Sequence, residues 1–318
     1  MKNNKDLSLI FIVGNRKNAG KTTVLNNIVK DIYEGRETEN VSLLTIGWDG
    51  ESEDRFFGNK KPEIMIYPGL SFVTASNALI KANFQYDILH SFSFSSTAGK
   101  YYFCKSKGNG FIELIGPENN SMLNNMISFI SDFGMDKVII DGALDRLTHI
   151  SSFKNSEIYY VFSPLSSWSE DKIIKEFKTI MSKFSIKSLN KNLPKMDNST
   201  FLDLSLNKIS DINAKNPPEH YSFVFIKGAL TENIFNKFDA NCKFIIEDLT
   251  KCFLTDEKKF KRVMVINRLN IGQLYLNPNA NYFWNKAFEK RIYHIAKEYF
   301  PKIRISDVLN LSNTTDTP

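Results

Sequence analysis

Residues 14–23 read Gly-Asn-Arg-Lys-Asn-Ala-Gly-Lys-Thr-Thr, and this stretch decides the fold. A short, nearly continuous apolar run at residues 7–13 precedes it, and apolar residues recur at helical spacing after it, from Val24 to Ile32. A buried strand, a glycine-bounded loop and an amphipathic helix, in that order, can turn backbone N–H groups around an anion. The sequence therefore predicts an α/β fold built around a phosphate-binding loop.

The residue types in this loop suit the tasks of a nucleotide-binding P-loop. Gly20 permits the dihedrals that turn N–H groups inward, Lys21 brings a positive charge to the β- and γ-phosphates, and the Thr22 hydroxyl can ligate magnesium. Asn15 replaces the glycine usually found five residues before Gly20, but asparagine tolerates left-handed dihedrals, so we expect the loop to close. The predicted nucleotide-binding residues are Gly14, Asn15, Lys17, Asn18, Ala19, Gly20, Lys21, Thr22 and Thr23.

Two acidic residues complete the predicted triphosphate and magnesium site. Asp141 ends the apolar run 137–141, where a P-loop protein holds Mg²⁺, usually through water. Asp49 follows the run 41–46 in a turn-rich segment, which we expect near the γ-phosphate, where Asp49 would orient water or touch the metal. The predicted metal ligands are Thr22, Asp141 and Asp49, and the predicted catalytic residues are Lys21, Asp49 and Arg16.

Arg16 and Lys17 each allow two interpretations. A loop cation can neutralise charge that develops during phosphoryl transfer, in its own subunit or across a dimer, or it can simply raise the affinity for the anion. The Asp145-Arg146 pair beyond Asp141 is likewise either a further switch element or a local ion pair.

Alternation of strands and helices along the chain predicts a mostly parallel, doubly wound sheet of P-loop NTPase type. An added β-hairpin is predicted at residues 101–115, because a glycine-rich link at 106–110 separates two strand-like runs. The predicted division is a nucleotide-binding domain at 1–185, a linker or irregular excursion at 186–220, a C-terminal α/β region at 221–310 and a polar tail at 311–318. Further strands are predicted at 70–74, 158–162, 222–226, 243–246, 263–266 and 303–305, and helices at 122–133, 166–184 and 281–300.

Composition narrows the function classes. Hydrophobic residues make up 42% and charged residues 24% of the 318, as is ordinary for a soluble globular protein. The net charge of +6 comes from dispersed lysines, so a nucleic-acid surface is not expected. No apolar run approaches the roughly 18 residues of a membrane span. Three scattered cysteines, Cys104, Cys242 and Cys252, are expected to be reduced thiols in a cytoplasmic protein.

The loop resembles that of a branch of P-loop proteins that includes dethiobiotin synthetase, the septum-site ATPases and the molybdenum-cofactor GTP-binding adaptor. Residues 17–23 are similar to the adaptor's loop, and Arg16 occupies the place where the septum-site ATPases carry a signature lysine.

A narrower resemblance is to the reactivase subunit of the cobalamin-dependent lysine 5,6-aminomutase and ornithine aminomutase system. It is carried by residues 14–23, Gly-Trp-Asp-Gly-Glu at 47–51, Gly116-Pro117 and Asp-Gly-Ala-Leu-Asp-Arg at 141–146, in the same order. The resemblance implies a chaperone-like factor that works beside a second ATPase subunit. Nucleotide hydrolysis would drive release of damaged cobalamin from an inactivated aminomutase, with residues 47–54 as the switch.

Two other functions stay open. One is a small-molecule kinase or ATP-dependent ligase resembling dethiobiotin synthetase, with an acceptor pocket formed by residues 91–97 and the hairpin at 101–115. The other is a GTP-binding adaptor, in which residues 267–270 would read guanine although Asn270 replaces the usual aspartate. We expect ATP with Mg²⁺ as the ligand, with GTP as the alternative, and a homo-oligomer is compatible with the sequence.

Overall fold

The computed structural model describes residues 7–46, 63–142, 156–189, 193–212, 218–278 and 284–308. They form an α/β structure with two large mixed sheets, in which most strands run parallel. The strands are β1 Ser8–Gly14, β2 Val41–Thr45, β3 Ile64–Ile66, β4 Ser71–Ala75, β5 Tyr86–Ser96, β6 Gly99–Ser106, β7 Gly110–Ile112, β8 Lys137–Asp141, β9 Ser156–Phe162, β10 Lys187–Ser188, β11 Thr200–Leu202, β12 Lys208–Asp211, β13 Phe223–Ile226, β14 Leu230–Thr231, β15 Lys243–Asp248, β16 Cys252–Phe253, β17 Val263–Asn267, β18 Asn270–Leu276 and β19 Arg304–Asp307. The helices are α1 Lys21–Glu34, α2 Ser76–Leu79, α3 Asn120–Phe133, α4 Glu170–Phe184, α5 Glu232–Phe235, α6 Glu257–Phe260 and α7 Lys286–Tyr299.

The first sheet contains nine strands in the order β19-β18-β9-β1-β8-β2-β4-β6-β5. The strands from β19 to β4 pair in parallel, and only β6 pairs antiparallel, with β4 and with β5. β1 lies between β9 and β8, and its five residues from Leu9 to Val13 are buried, as the continuous apolar run predicts. From β1 the chain passes to β2 on one side, and from β8 it passes to β9 on the other. β1 is therefore a switch point of the sheet, where ligands bind beyond the carboxyl ends of strands in open α/β sheets.

The second sheet contains six strands in the order β10-β17-β15-β13-β11-β12. The strands β10, β17, β15 and β13 pair in parallel, and β11 pairs antiparallel with both β13 and β12. The chain reaches this sheet after α4 and returns to the first sheet at β18. Two short two-stranded sheets pair β14 with β16 and β3 with β7.

Sheet membership divides the chain differently from the predicted ranges. Within 186–220, predicted to be a linker or irregular excursion, lie β10, β11 and β12 of the second sheet. The predicted C-terminal region is shared between both sheets, because β13, β15 and β17 lie in the second and β18 and β19 in the first. Strands of two to four residues carry too few apolar positions for a period-two pattern to stand out in a polar segment.

The predicted hairpin between 101–105 and 111–115 is wrong. β6 already pairs with β4 on one side and β5 on the other, so it has no free edge for β7, and β7 pairs with β3 instead. The hairpin is formed by β5 and β6. Its two connecting residues, 97–98, are followed by Gly99, the first residue of β6, with a φ of 103°. A left-handed residue in this place suits a tight hairpin turn.

The helix predictions at 122–133, 166–184 and 281–300 are confirmed as α3, α4 and α7, with shorter starts for the last two. Ser169 and Asn285 begin α4 and α7 because their side chains accept a hydrogen bond from a backbone N–H of the first turn. Gly134 ends α3 in the left-handed conformation, as predicted. Among the described residues, no helix has the length and apolarity that a membrane crossing requires.

Candidate functional site

The candidate phosphate loop, residues 14–20, connects the end of β1 to the start of α1. Asn18 and Gly20 both have positive φ, 60° and 102°, which lets the chain reverse tightly before the helix. Gly14 and Ala19 lie close together across the loop, because a Cβ added at Gly14 would be 2.9 Å from the Cβ of Ala19. The loop therefore closes with Asn15 in place of glycine, and the left-handed position falls on Asn18.

The start of α1 differs from the starts of the other long helices. Side chains of Asn119, Ser169 and Asn285 cap α3, α4 and α7, whereas α1 begins at Gly20, which has no side chain. The first turn of α1 also contains no acidic residue. Within the described part of the chain, no side chain caps the first N–H groups of α1. These groups and the positive end of the helix dipole are therefore arranged as an anion site requires.

Lys21 and Thr22 belong to this first turn, and both are partly buried. A lysine ammonium and the N–H groups of a helix start are suited to phosphate oxygens. The Thr22 hydroxyl and the Asp141 carboxylate are hard oxygen donors, which Mg²⁺ prefers. The donor set that the described residues offer therefore fits a magnesium nucleotide.

Asp141 lies at the carboxyl edge of the first sheet between β1 and β2. It is the register partner of Ile12 on one side and Thr45 on the other. Its carbonyl oxygen accepts hydrogen bonds from the Ile46 N–H at 2.9 Å and the Thr45 hydroxyl at 3.1 Å. Strand pairing thus brings Asp141 to the same edge as the candidate phosphate loop, as its place at the end of a parallel strand predicts.

Asn15 and Arg16 bond to the segment that follows β9. The Asn15 amide exchanges two hydrogen bonds with the Ser163 backbone, at 2.9 and 2.8 Å. The Arg16 guanidinium donates to the Ser163 carbonyl at 2.9 Å, the Ser163 hydroxyl at 2.9 Å and the Pro164 carbonyl at 3.0 Å. Arg16 was predicted to act on the nucleotide, whereas these three bonds direct its guanidinium toward Ser163 and Pro164.

Burial lowers the pKa of Arg16, because desolvation disfavours its charged form. The guanidinium still remains protonated at neutral pH, since arginine titrates far above this range. Its three acceptors among the described residues are neutral oxygens. They orient the positive charge of Arg16 beside the candidate phosphate loop and do not neutralise it. Lys17, the next residue, is exposed.

Asn277 is a residue of this site that the sequence interpretation missed. It follows β18, and its Nδ2 donates a 2.8 Å hydrogen bond to the carbonyl oxygen of Ala19, while its N–H donates at 2.8 Å to Phe162. A Cβ at Gly20 would lie 2.7 Å from the same Nδ2. No local motif announces this contact, and only recognition of residues 270–276 as a strand beside β9 would have suggested it.

Gly116 packs directly on the end of β2. A Cβ at this position would overlap the carbonyl oxygen of Thr45, and the Gly116 carbonyl accepts a 2.8 Å hydrogen bond from the Tyr101 hydroxyl. The Gly116-Pro117 segment, one of the motifs shared with the reactivase family, therefore packs on the end of β2 next to Asp141.

Several predicted residues lie elsewhere or outside the description. Asp49 and the 47–54 switch, and the Asp145-Arg146 pair, fall outside the described residues. Asn270 begins β18, at the edge opposite the candidate phosphate loop, because parallel strands share their carboxyl edge. Asn267 ends β17 in the second sheet, so the 267–270 segment does not approach the loop.

A cleft of about 720 Å³ opens on the second sheet, away from the candidate phosphate loop. Its lining includes Asp203, Glu219 and Asp239. The Asp203 carboxylate accepts hydrogen bonds from Ser205 and Asn207 within its own turn. We give more weight to the loop, because its residue types and helix start match one ligand chemistry.

Comparison with models of known protein families, with curated proteins and with solved structures gave no match. The fold and the loop together define an α/β protein with a candidate phosphate site at a switch point of its larger sheet.

Proposed function

We propose that this chain is a P-loop nucleotide-binding protein that holds ATP, in preference to GTP, at residues 14–23. The observation that carries the proposal is the start of α1, which lacks a side-chain cap. Lys21 and Thr22 lie in its first turn, directly after a loop in which Asn18 and Gly20 have left-handed dihedrals. Mg²⁺ would be held by Thr22 and Asp141, and it would neutralise phosphate charge. Asp49 remains a proposed ligand on the sequence alone.

The proposed role is that of a switch whose affinity for a partner depends on the bound nucleotide. The resemblance to the reactivase family extends this to a client, a cobalamin-dependent amino-acid aminomutase, and to a second ATPase subunit. Hydrolysis by this cytoplasmic protein would let the client exchange damaged cobalamin for an intact cofactor. The support for the client is the shared order of motifs at 14–23, 47–51, 116–117 and 141–146.

The geometry disfavours one part of the small-molecule acceptor pocket, residues 91–97. Residues 91–97 belong to β5 and its turn, and five strand steps separate β5 from β1 in the first sheet. At a spacing of about 4.8 Å per step, that is roughly 24 Å. A transferable phosphate on the candidate phosphate loop would be too far from these residues for direct transfer.

The first test is binding of fluorescent ATP and GTP analogues with Mg²⁺ to the wild type and to Lys21→Ala. We expect micromolar or tighter binding by the wild type and at least ~100-fold weaker binding by the variant, equivalent to about 2.7 kcal/mol. Lys30→Ala is the matched control, because Lys30 lies on the same helix, is exposed and pairs with Glu34. Absence of binding to the wild type would remove the proposal.

The client is tested separately. Binding of a purified cobalamin-dependent aminomutase, loaded with damaged cobalamin, is measured with ATP, with ADP and without nucleotide. The proposal expects a nucleotide-dependent change in affinity that Lys21→Ala abolishes. Nucleotide binding without any such change would leave the P-loop assignment intact and refute the client.

A further inference from the structure

Asn15 and Arg16 tie the candidate phosphate loop to the segment that leads into α4. Together they make five hydrogen bonds to Ser163 and Pro164, and Ser163 is fully buried. Three of the five come from Arg16 through a planar fork of donors. Such a fork fixes direction as well as distance, which a lysine ammonium cannot reproduce. A displacement of the loop backbone at Arg16 would therefore act on Ser163 and Pro164, which residues 165–169 connect to α4.

α4 packs on the first sheet and against α6, the helix that precedes β17 of the second sheet. On the first sheet, its Phe177 ring packs against Phe162, with centroids 4.9 Å apart, and Phe184 packs against Tyr160 at 5.2 Å. Toward the second sheet, α4 packs against α6. Lys183, in its last turn, lies near Cys252 and Asp248. Burial lowers the Lys183 pKa, and these two groups partly offset that effect.

The second connection between the sheets also leads to the candidate phosphate loop. From β17 the chain passes through residues 268–269 into β18, whose end places Asn277 on the Ala19 carbonyl. The first connection, through α4, begins at Ser163 and Pro164, and it ends with a 2.8 Å bond from the Leu189 N–H to Val265 of β17. Both links to the second sheet thus have an end on the same seven-residue loop.

We infer that Arg16 is a positioning residue that couples occupancy of the candidate phosphate loop to the second sheet through Ser163, Pro164 and α4. This inference rests on the proposed nucleotide function and adds its regulation. An anion on the loop draws the backbone N–H groups toward itself, and Arg16 carries that movement to the start of α4. Close-packed elements transmit such shifts as whole bodies because their interiors do not compress.

The test is amide hydrogen exchange of the full chain, with and without saturating ATP and Mg²⁺. In the wild type we expect exchange to slow at least ~5-fold in residues 15–25, in α4 and in the strands β15 and β17 of the second sheet. In Arg16→Lys, which keeps the charge but not the fork, we expect slowing at 15–25 alone. Arg16→Ala and Ser163→Ala should show the same uncoupling, the latter in part. Arg291→Ala, at an exposed position on α7, is the matched control and should behave as the wild type.

Three results would overturn the inference. The first is slowed exchange in the wild type that is confined to residues 15–25. The second is slowed exchange in α4, β15 and β17 of Arg16→Lys that equals the slowing in the wild type. The third is a loss of nucleotide affinity in the Arg16 variants by the same factor as the loss of slowed exchange in α4, β15 and β17. If the wild type bound no nucleotide, the proposed function would fail, and the coupling would be judged from the nucleotide-free protein. In the nucleotide-free protein, Arg16→Lys must exchange faster than Arg291→Ala in α4, β15 and β17. Equal exchange in the two variants would refute the coupling. Ser163→Ala provides the comparison if Arg16→Ala does not fold.

Discussion

At the residue scale, Asn277 holds the backbone of the candidate phosphate loop from the neighbouring strand β18. Asn277→Ala removes the donor to the Ala19 carbonyl, and a neutral hydrogen bond of this kind contributes about 0.5–1.5 kcal/mol. We expect nucleotide affinity to fall ~3- to 10-fold in titrations with the fluorescent analogue, while the fold is retained. Asn277→Asp should lower the nucleotide affinity further, because its carboxylate would repel both the Ala19 carbonyl oxygen and the phosphates of the nucleotide.

The matched control is Asn241→Ala, at an exposed position in the turn before β15. Equal affinities of Asn277→Asp and the wild type would show that this contact does not shape the loop. A change in the denaturation midpoint as large as the change in affinity would show that Asn277 acts on the whole fold instead.

The residues of this site divide into those that the sequence could reveal and those that it could not. The positions of Gly20, Lys21 and Thr22 at the start of α1 were predictable because they depend on near neighbours within one strand–loop–helix unit. The hydrogen-bond partners of Arg16 lie 147 and 148 residues away along the chain. The sequence therefore reveals the charge of Arg16 but not the residues toward which its guanidinium points. Asn277 carries no motif, and its contact depends wholly on strand order.

At the scale of elements, the end of β2 depends on Gly116. Gly116→Ala would force a methyl group against the Thr45 carbonyl, and overpacking of this kind costs about 1–3 kcal/mol. We expect a matching decrease in the free energy of unfolding in urea. Gly228→Ala is the control, since a Cβ there meets no atom within 4 Å. Equal stabilities of the two variants would contradict the packing described here.

Elements with strong local signals were predicted well. The apolar stripe of α3, with Gly134 after it, predicted the helix and its end, although α3 begins two residues earlier than predicted. The buried run of β8 predicted both bounds of that strand. The hairpin failed because pairing partners are chosen by the free edges of the whole sheet, which β6 does not offer to β7. The strands of the second sheet at 187–211 are too short to outweigh their polar surroundings.

At the scale of the whole molecule, buried thiols limit stability at alkaline pH. Burial raises the pKa of Cys104 to about 12 and that of Cys242 to about 11, against about 8.5 for an exposed thiol. Between these values the unfolded chain releases thiol protons that the folded chain keeps. The unfolded state then binds fewer protons, so the free energy of unfolding falls as pH rises through this window.

We expect this fall to begin near pH 8.5 and to approach about 1.4 kcal/mol per pH unit for each buried thiol. Urea denaturation between pH 7 and 10 measures it. Cys104→Ala should be less stable at pH 7, because a buried side chain is truncated, yet its stability should depend less steeply on pH. A slope identical to that of the wild type would rule out Cys104 as a source.

The contact between Asn277 and Ala19 spans 258 positions of the chain. During synthesis the candidate phosphate loop leaves the ribosome 258 residues before the amide that contacts it. A nascent chain therefore carries the loop motif long before it carries the completed site. Under the proposed function, the loop therefore reaches its full nucleotide affinity only after β18 and Asn277 have been synthesised.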